Sequence, residues 1–299
     1  MPTAAAPAGN GAEPVEAAPT RKLGLMGWLS LIWLVGITLA AVLAPVLPLS
    51  DPDESFLRIV REPPIQPGHL LGGDGNGRDI LARVIYGTRT SLTISVGAVG
   101  LGLIVGGFLG LVAGFFRGRI DTILSTLFNV LLAIPSLVLL LALVTIYASS
   151  DENASNARRM VVLIVALAIV SVPLLGRITR ASTLAWSERE FVKAAAVLGA
   201  RPWRIMFREV LPNVLPAMMS ITLLGIGIAI VFEGAISLLG LGVSDVPSWG
   251  NMIASGRPEL ARAPHIVAIP SIAIFLTVLS LNYLGDVIRA RFDVREAVL

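Results

Sequence analysis

Cysteine is absent from all 299 residues, and histidine occurs only twice, as His69 and His265. The chain can therefore form no disulfide framework, thiolate metal site or cysteine nucleophile, and no histidine cluster for a metal ion. Charge is scarce as well: Asp, Glu, Lys and Arg make up 14% of the sequence, against about a quarter in an average soluble domain. Lysine is confined to Lys22 and Lys193, preceded by Arg21 and Val192 rather than by glycine, so no Walker A loop is present to cradle nucleotide phosphates. No paired carboxylates, metal ligands or Ser/His arrangement fall inside the apolar stretches, which removes the usual signatures of a membrane-embedded enzyme.

What remains is apolar. Hydrophobic residues make up 55% of the chain and the mean hydropathy is +0.81. A helix needs about 20 apolar residues to cross the hydrocarbon core, and the intervals between charges provide six candidate spans. The first lies between Lys22 and Asp51, the second between Arg89 and Arg117, and the third between Asp121 and Asp151. The fourth starts after Arg159 and runs past Arg177, the fifth lies between Glu209 and Asp245 with Glu233 inside it, and the sixth runs from about Ala263 to Gly285. Exposed backbone finds no water in lipid, and runs this long without period-2 alternation exclude a barrel. The class is all-α: a polytopic membrane protein.

The formal net charge of +3 does not point to nucleic acid, because the basic residues are scattered through loops between apolar runs, where topology accounts for them. With both ends on one side, Arg21, Lys22, Arg117, Arg119, the basic residues from Arg177 to Arg208, and Arg289, Arg291 and Arg295 share that side and outnumber the rest. This places both termini in the cytoplasm. The resulting plan is a disordered tail over 1–22, rich in Ala, Pro and Gly, and a first span over 23–50. An outer loop over 51–88 follows, then a five-helix core over 89–288 with a cytoplasmic loop at 187–212, and a tail over 289–299. The first apolar run is too long for a signal peptide and is kept as a span.

The cytoplasmic loop has an unusual build. A short helix former from Glu190 to Leu198, with Ala194, Ala195 and Ala196 in it, stops at Gly199. Pro202 then fits the first turn of a second helix, which Leu211-Pro212 closes before the fifth span. The alanines leave a low ridge that another protein can approach, and Phe191, Trp203, Ile205 and Phe207 supply anchors for a hydrophobic groove. From spacing alone, an interfacial amphipathic connector is an equal reading.

Lys193-Ala194-Ala195 with Gly199, followed by Leu211-Pro212, resembles the EAA loop of binding-protein-dependent ABC importer permeases, although Lys193 stands where that family usually has Glu. The run from His69 through Gly72, Asp74, Gly77, Arg78 and Asp79 is similar to the H-x-LGTD-x-x-GRD signature of dipeptide, oligopeptide and nickel permeases, with Gly73 in place of threonine. Glu233 to Gly242, continuing through Pro247, Ser248, Trp249 and Gly250, and Asn282 to Asp286 resemble further stretches of the same permeases. The resemblance implies the type I ABC importer permease fold and the second permease of a pair, in the bacterial inner membrane. It also implies a heterodimer with a homologous permease, two ATP-binding cassette ATPases that hold ATP and Mg, an extracytoplasmic substrate-binding protein, and no cofactor on this chain. Its coupling loop would comprise Lys193, Ala194, Ala195, Gly199, Pro202, Trp203, Leu211 and Pro212.

Other features have competing readings. Asp74, Asn76 and Asp79 superficially match a calcium loop, but Arg78 at the fifth ligand position and Ile85 at the twelfth rule it out. Asp74, Gly77, Arg78, Asp79 and Trp249 are either turn formers or an extracytoplasmic contact. Glu233, a carboxylate inside an apolar span, is a candidate for the translocation path or a bridge between helices. Gly102, Gly106, Gly110, Gly114 and Gly118 repeat every four residues and form a packing ridge, for this chain or for the sister permease. Pro135 and Pro173 should kink their helices. The resemblance implies half of a translocation path for short peptides, with an ABC importer for nickel chelates or haem as one alternative; a secondary transporter or channel is the other, but it would require intramembrane coupling residues beyond Glu233 and an inverted repeat.

Because the chain has no native cysteine, single cysteines report topology directly. A tag after Leu299 and a cysteine near Gly199 should be reachable only from the cytoplasm, and Ser150→Cys only from outside, as read by impermeant maleimide labelling. The opposite pattern would invert the orientation.

Overall fold

The computed structural model describes residues 23–148, 155–243 and 246–296, with side chains through Arg291. The tail assigned to 1–22 and the outer position Ser150 lie outside the described residues. Nine helices form among them: α1 (Leu25–Leu43), α2 (Ile80–Phe116), α3 (Gly118–Ala133), α4 (Ser136–Ala148), α5 (Asn156–Ser187), α6 (Glu190–Val197), α7 (Pro202–Leu238), α8 (Trp249–Gly256) and α9 (His265–Glu296). Extended pairing among the described residues is limited to three isolated bridges in the segment before α2. Helices α1, α2, α5, α7 and α9 are each long and apolar enough to cross a membrane, whereas α3 and α4 qualify only as a pair, bent by 87° at the break between them.

The glycine ridge decides how the long helices meet. A side chain at Gly106 would reach 2.4 Å from the Val172 carbonyl, and one at Gly110 would reach 2.2 Å from that of Gly176. Gly102 faces Ser171 and Gly114 faces Arg180 and Thr183. The ridge therefore packs α2 onto α5 of the same chain, at a separation only glycine permits. Gly118 is not part of it, having φ +58° at the turn into α3 with open space around it. Both numberings rise together along this contact, from Gly97 against Ile164 to Gly114 against Thr183, so α2 and α5 run parallel. Two successive parallel crossings require a return between them. Hence the bent α3–α4 pair is the third of six crossings, with Asp121 bonded to Arg180, Phe128 against Gly176, and Leu140 and Val144 in one cluster with Leu163 and Leu167.

The remaining spans alternate. Helix α7 runs against α2, with Gly225 beside Val99 and Glu233 bonded to Ser91; α9 runs against α7, with Gly227 beside Val278 and Ser220 donating to the Gly285 carbonyl. Helix α1 runs against α9, tied by Gly27 near Tyr283 and by Trp33 Nε1 donating to Thr277 Oγ1 at 3.0 Å. The start of α1 and the end of α9 consequently lie on the same side as α6.

Several boundaries differ from the expectations. The second span begins at Ile80 rather than after Arg89, because Asp79 caps α2 by accepting from Ala82 N, and Arg83 is satisfied by the Pro52 carbonyl and Asp53. Charge-free intervals miss such turns because a basic residue with partners is tolerated in a helix near the interface. Pro135 breaks its helix rather than kinking it: Ile134 before it is extended (φ −83°, ψ 127°), the conformation proline imposes on its predecessor. Pro173 leaves α5 continuous, with Val172 held against Gly106. Leu211-Pro212 closes no helix either. A π turn at Met206–Val210, where Leu211 N donates to the Met206 carbonyl, shifts the bonding register just before Pro212, and α7 continues to Leu238.

The ridge makes a stability prediction. Gly110→Ala should lower the unfolding midpoint in detergent by an amount corresponding to about 1–3 kcal/mol of overpacking, whereas Gly100→Ala, which meets nothing within 4 Å, should leave it unchanged. Equal midpoints for the two variants would remove the close approach.

Candidate functional site

On the side where α1 starts and α9 ends, α6 and the first turns of α7 make a projecting helical pair. Glu190 sits in the first turn of α6, favourable for the helix dipole. The helix ends in a Schellman turn: Gly199 N donates to the Ala196 carbonyl at 3.0 Å and Ala200 N to that of Ala195 at 3.1 Å. Gly199 has φ +80° and open space about it, so the turn needs glycine for its backbone and not for room. Pro202 opens α7 at its first position, as expected.

The residues of this element divide between inward and outward faces. Val192, Ile205, Met206 and Val210 form a buried cluster with Leu111 of α2, and Ala195 packs against it. Ile205 is therefore not an anchor for a partner, and of the alanine ridge only Ala194 and Ala196 are exposed, beside Lys193. Trp203 rests on Phe116 and stacks on Phe207, while Phe191 meets Trp186, leaving each of the three partly exposed. Within this element the most exposed apolar residues are Val197 at 87% and Leu198 at 86%, at the tip beside Gly199. The sequence reading passed over these two, although their position directly before a Schellman glycine was the available signal. Leu211 is half-buried and Pro212 exposed on α7.

Glu233 has no exposed surface. Its carboxylate accepts from three serines on three segments: Ser248 Oγ at 2.8 Å, Ser237 Oγ at 3.1 Å and Ser91 Oγ at 3.3 Å. Two of those hydroxyls in turn accept backbone N–H groups at the start of α8: Ser91 takes Trp249 N, and Ser248 caps the helix by taking Asn251 N. Trp249 is fully buried and donates from Nε1 to the Val84 carbonyl at 3.1 Å, and Gly250 lies so close to Gly234 that a side chain there would come within 2.7 Å of the Gly234 Cα. Of the two roles expected for Glu233, bridging helices is the one this geometry supports. A carboxylate enclosed by α2, α7 and α8 lines no surface of the chain.

The segment before α2, expected on the outer side, is likewise turned inward. Asp79 uses one oxygen to cap α2 and the other to take His69 Nδ1 at 2.6 Å, both side chains being buried. Asp74 accepts from Asn76 N, Arg78 N and Arg78 Nε. A side chain at Gly73 would fall 1.9 Å from the Ile59 carbonyl, so the threonine usual in similar permeases has no room here. Asp74, Gly77, Asp79 and Trp249 are all buried. The expectation that they and Arg78 form an outer contact surface is corrected accordingly: buried polar groups must find partners, and these find them within the chain. An exposed link on this face is Arg61 with Glu259, donating from Nε and Nη2 to the two carboxylate oxygens, which raises the Arg61 pKa and lowers that of Glu259.

Truncating Glu233 would strand three hydroxyls. Glu233→Ala should therefore cost about 2–4 kcal/mol of stability and loosen α8, whereas Glu233→Gln, which keeps an acceptor, should cost less than half as much. Thermal unfolding with hydrogen exchange at 249–256 measures both. Equal losses for the two variants would count against the bridge.

Similarity to known proteins agrees with this geometry. Residues 106–297 match the family described as binding-protein-dependent transport system inner membrane component. The chain is 37% identical over 273 residues to a dipeptide transport system permease protein of Alkalihalophilus pseudofirmus, covering 91% of this chain and 86% of that one. It is 38% identical over 226 residues to a glutathione transport system permease protein of Pectobacterium atrosepticum, covering 75% and 72%. Among solved structures, a chain of the MetNI methionine ABC transporter in an inward-facing conformation superposes with a TM-score of 0.57 at 15% identity, over 71% of this chain and 97% of that chain. A chain of an amino acid ABC transporter gives 0.53 at 19% identity, over 69% and 92%. At those identities the structural likeness shows a shared fold, while the sequence matches show kinship: the chain belongs to the inner membrane permease components of binding-protein-dependent ABC transport systems.

Proposed function

We propose that the chain forms half of a translocation path for short peptides, paired with a homologous permease, driven by two ATP-binding cassette ATPases and supplied by an extracytoplasmic binding protein. The observation that carries the coupling part is the projecting α6 with its Gly199 turn, which presents Val197 and Leu198 almost fully to the outside at the end of the fold where α1 starts and α9 ends. Exposed apolar side chains on a rigid helix tip fit insertion into a hydrophobic groove of a partner protein. The basic residues that collect on this side, Arg177 to Arg208 among them, favour its being cytoplasmic. ATP and Mg then belong to the ATPases, consistent with the absence of a P-loop lysine here. Peptides are favoured as cargo because the relatives named above carry dipeptides and glutathione. The path itself would run between the two permeases and open alternately to each side as the ATPases close.

Gly199→Val should strain the turn by about 1–2 kcal/mol and tilt α6 against α7, while the spans, held by their own packing, still insert. Leu198→Asp should act on the groove contact alone. In reconstituted vesicles both should lower ATP-driven uptake of a labelled dipeptide about tenfold, a loss equivalent to about 1.4 kcal/mol. The ATPases should dissociate or hydrolyse ATP without transport. Coupled uptake at the wild-type rate in both variants would reduce the element to a connector.

A further inference from the structure

Arg117 stands between α2 and α3 with φ 55° and ψ −163°, a backbone region that belongs almost entirely to glycine. A glycine would make this corner without strain. The arginine is accompanied by two side-chain contacts that glycine could not make: Nη2 donates to Ser187 Oγ at 3.1 Å, and Nη1 pairs with Glu188 Oε1 at 2.9 Å. Ser187 is the last residue of α5, and Glu188 begins the short connection to α6. The Ser187 hydroxyl gives its own proton to the Leu184 carbonyl, which leaves its lone pairs aimed at the guanidinium.

Beside this contact lies an open cleft of ≈ 350 Å³ lined in part by Phe115, Arg117, Glu188, Val192, Lys193 and Ile205. The Arg117 contacts form one edge of this cleft, between the end of α2 and α6. One turn into α3, Asp121 takes both Nε and Nη2 of Arg180. Helix α3 needs such ties, since Phe128 is its one fully buried residue and most of its surface is exposed.

We propose that Arg117 is a positioning residue that latches the α2–α3 corner to the α5–α6 junction, so that displacement of α6 at that junction reaches α3 through these side chains. This rests on the reading of α6 as the element that receives the ATPase. An exposed ion pair is weak and exchanges readily with water, which suits a contact that holds geometry during a cycle without trapping one state. Lys193 lines the same cleft and repels Arg117, while Asp121 attracts it but is already bonded to Arg180, so Glu188 is the charged group in direct contact with the guanidinium.

The test uses the assembled transporter with cysteine-free partners, because this chain supplies no cysteine of its own. Nitroxide labels at Ile123→Cys in α3 and Glu190→Cys in the first turn of α6, both exposed and away from the Val197–Leu198 tip, report the separation of the two elements by pulsed electron resonance. Measurements are made without nucleotide and with ATP, Mg and vanadate. With the latch intact, one narrow distance distribution should persist in both states. Arg117→Ala should widen it about twofold, Glu188→Gln should widen it less, and the exchange Arg117→Glu with Glu188→Arg should restore it. An unchanged width in Arg117→Ala, or a widening that the exchange fails to reverse, would overturn the latch. The distance readout needs no transported substrate. Normal uptake in Gly199→Val beside a widened Arg117→Ala therefore marks a failure of the coupling reading rather than of the contact.

Discussion

Everything else in the fold follows from the contact between α2 and α5. Gly102, Gly106, Gly110 and Gly114 bring one backbone against the other at distances where any side chain would collide. Lipid offers no hydrophobic drive for helix association, so the free energy of this pairing comes from backbone-close dispersion contacts. The geometry of the pairing is parallel, which obliges the intervening chain to cross back. The broken α3–α4 pair does this despite an 87° bend and the scarcity of buried residues in α3. The same contact puts Arg117, Ser187 and α6 together at one end of the molecule.

At the opposite end, the chain meets the cost of polar groups near a membrane by pairing them with one another. Glu233 gathers hydroxyls from α2, α7 and the residue before α8, and those hydroxyls hold the first N–H groups of α8. The outer segment before α2 does likewise, with Asp74, Arg78, Asp79 and His69 bonded among themselves. Residue types that suggest recognition when read along the chain therefore serve construction. Function is left to the surfaces such construction holds in place, above all the tip of α6.

The sequence was legible where one physical rule dominates. Apolar length specifies spans because lipid tolerates nothing else, and Gly199 with Pro202 specifies where α6 ends and α7 starts because positive φ and a fixed φ are local demands. It was less legible where partners distant in sequence relieve a local penalty. Arg83 sits in a helix because Pro52 and Asp53 satisfy it, and Pro212 does not end α7 because a π turn precedes it. The divergent outcomes of Pro135 and Pro173 depend on what packs beside them, which no local rule contains.

By itself, then, the sequence determined the all-α class, the number of crossings and the place of the projecting loop, since hydropathy, charge and turn chemistry act over a few residues at a time. The resemblance of its motifs also identified the family. Tertiary structure alone decided that the glycine ridge faces α5 rather than another subunit, that Glu233 and Trp249 are enclosed, and that Val197 and Leu198 rather than Ile205 point outward. Each of those outcomes depends on which surfaces meet when residues far apart in the chain are packed together. A pattern along one helix can show that a face is special, but the direction in which that face points is set by its neighbours.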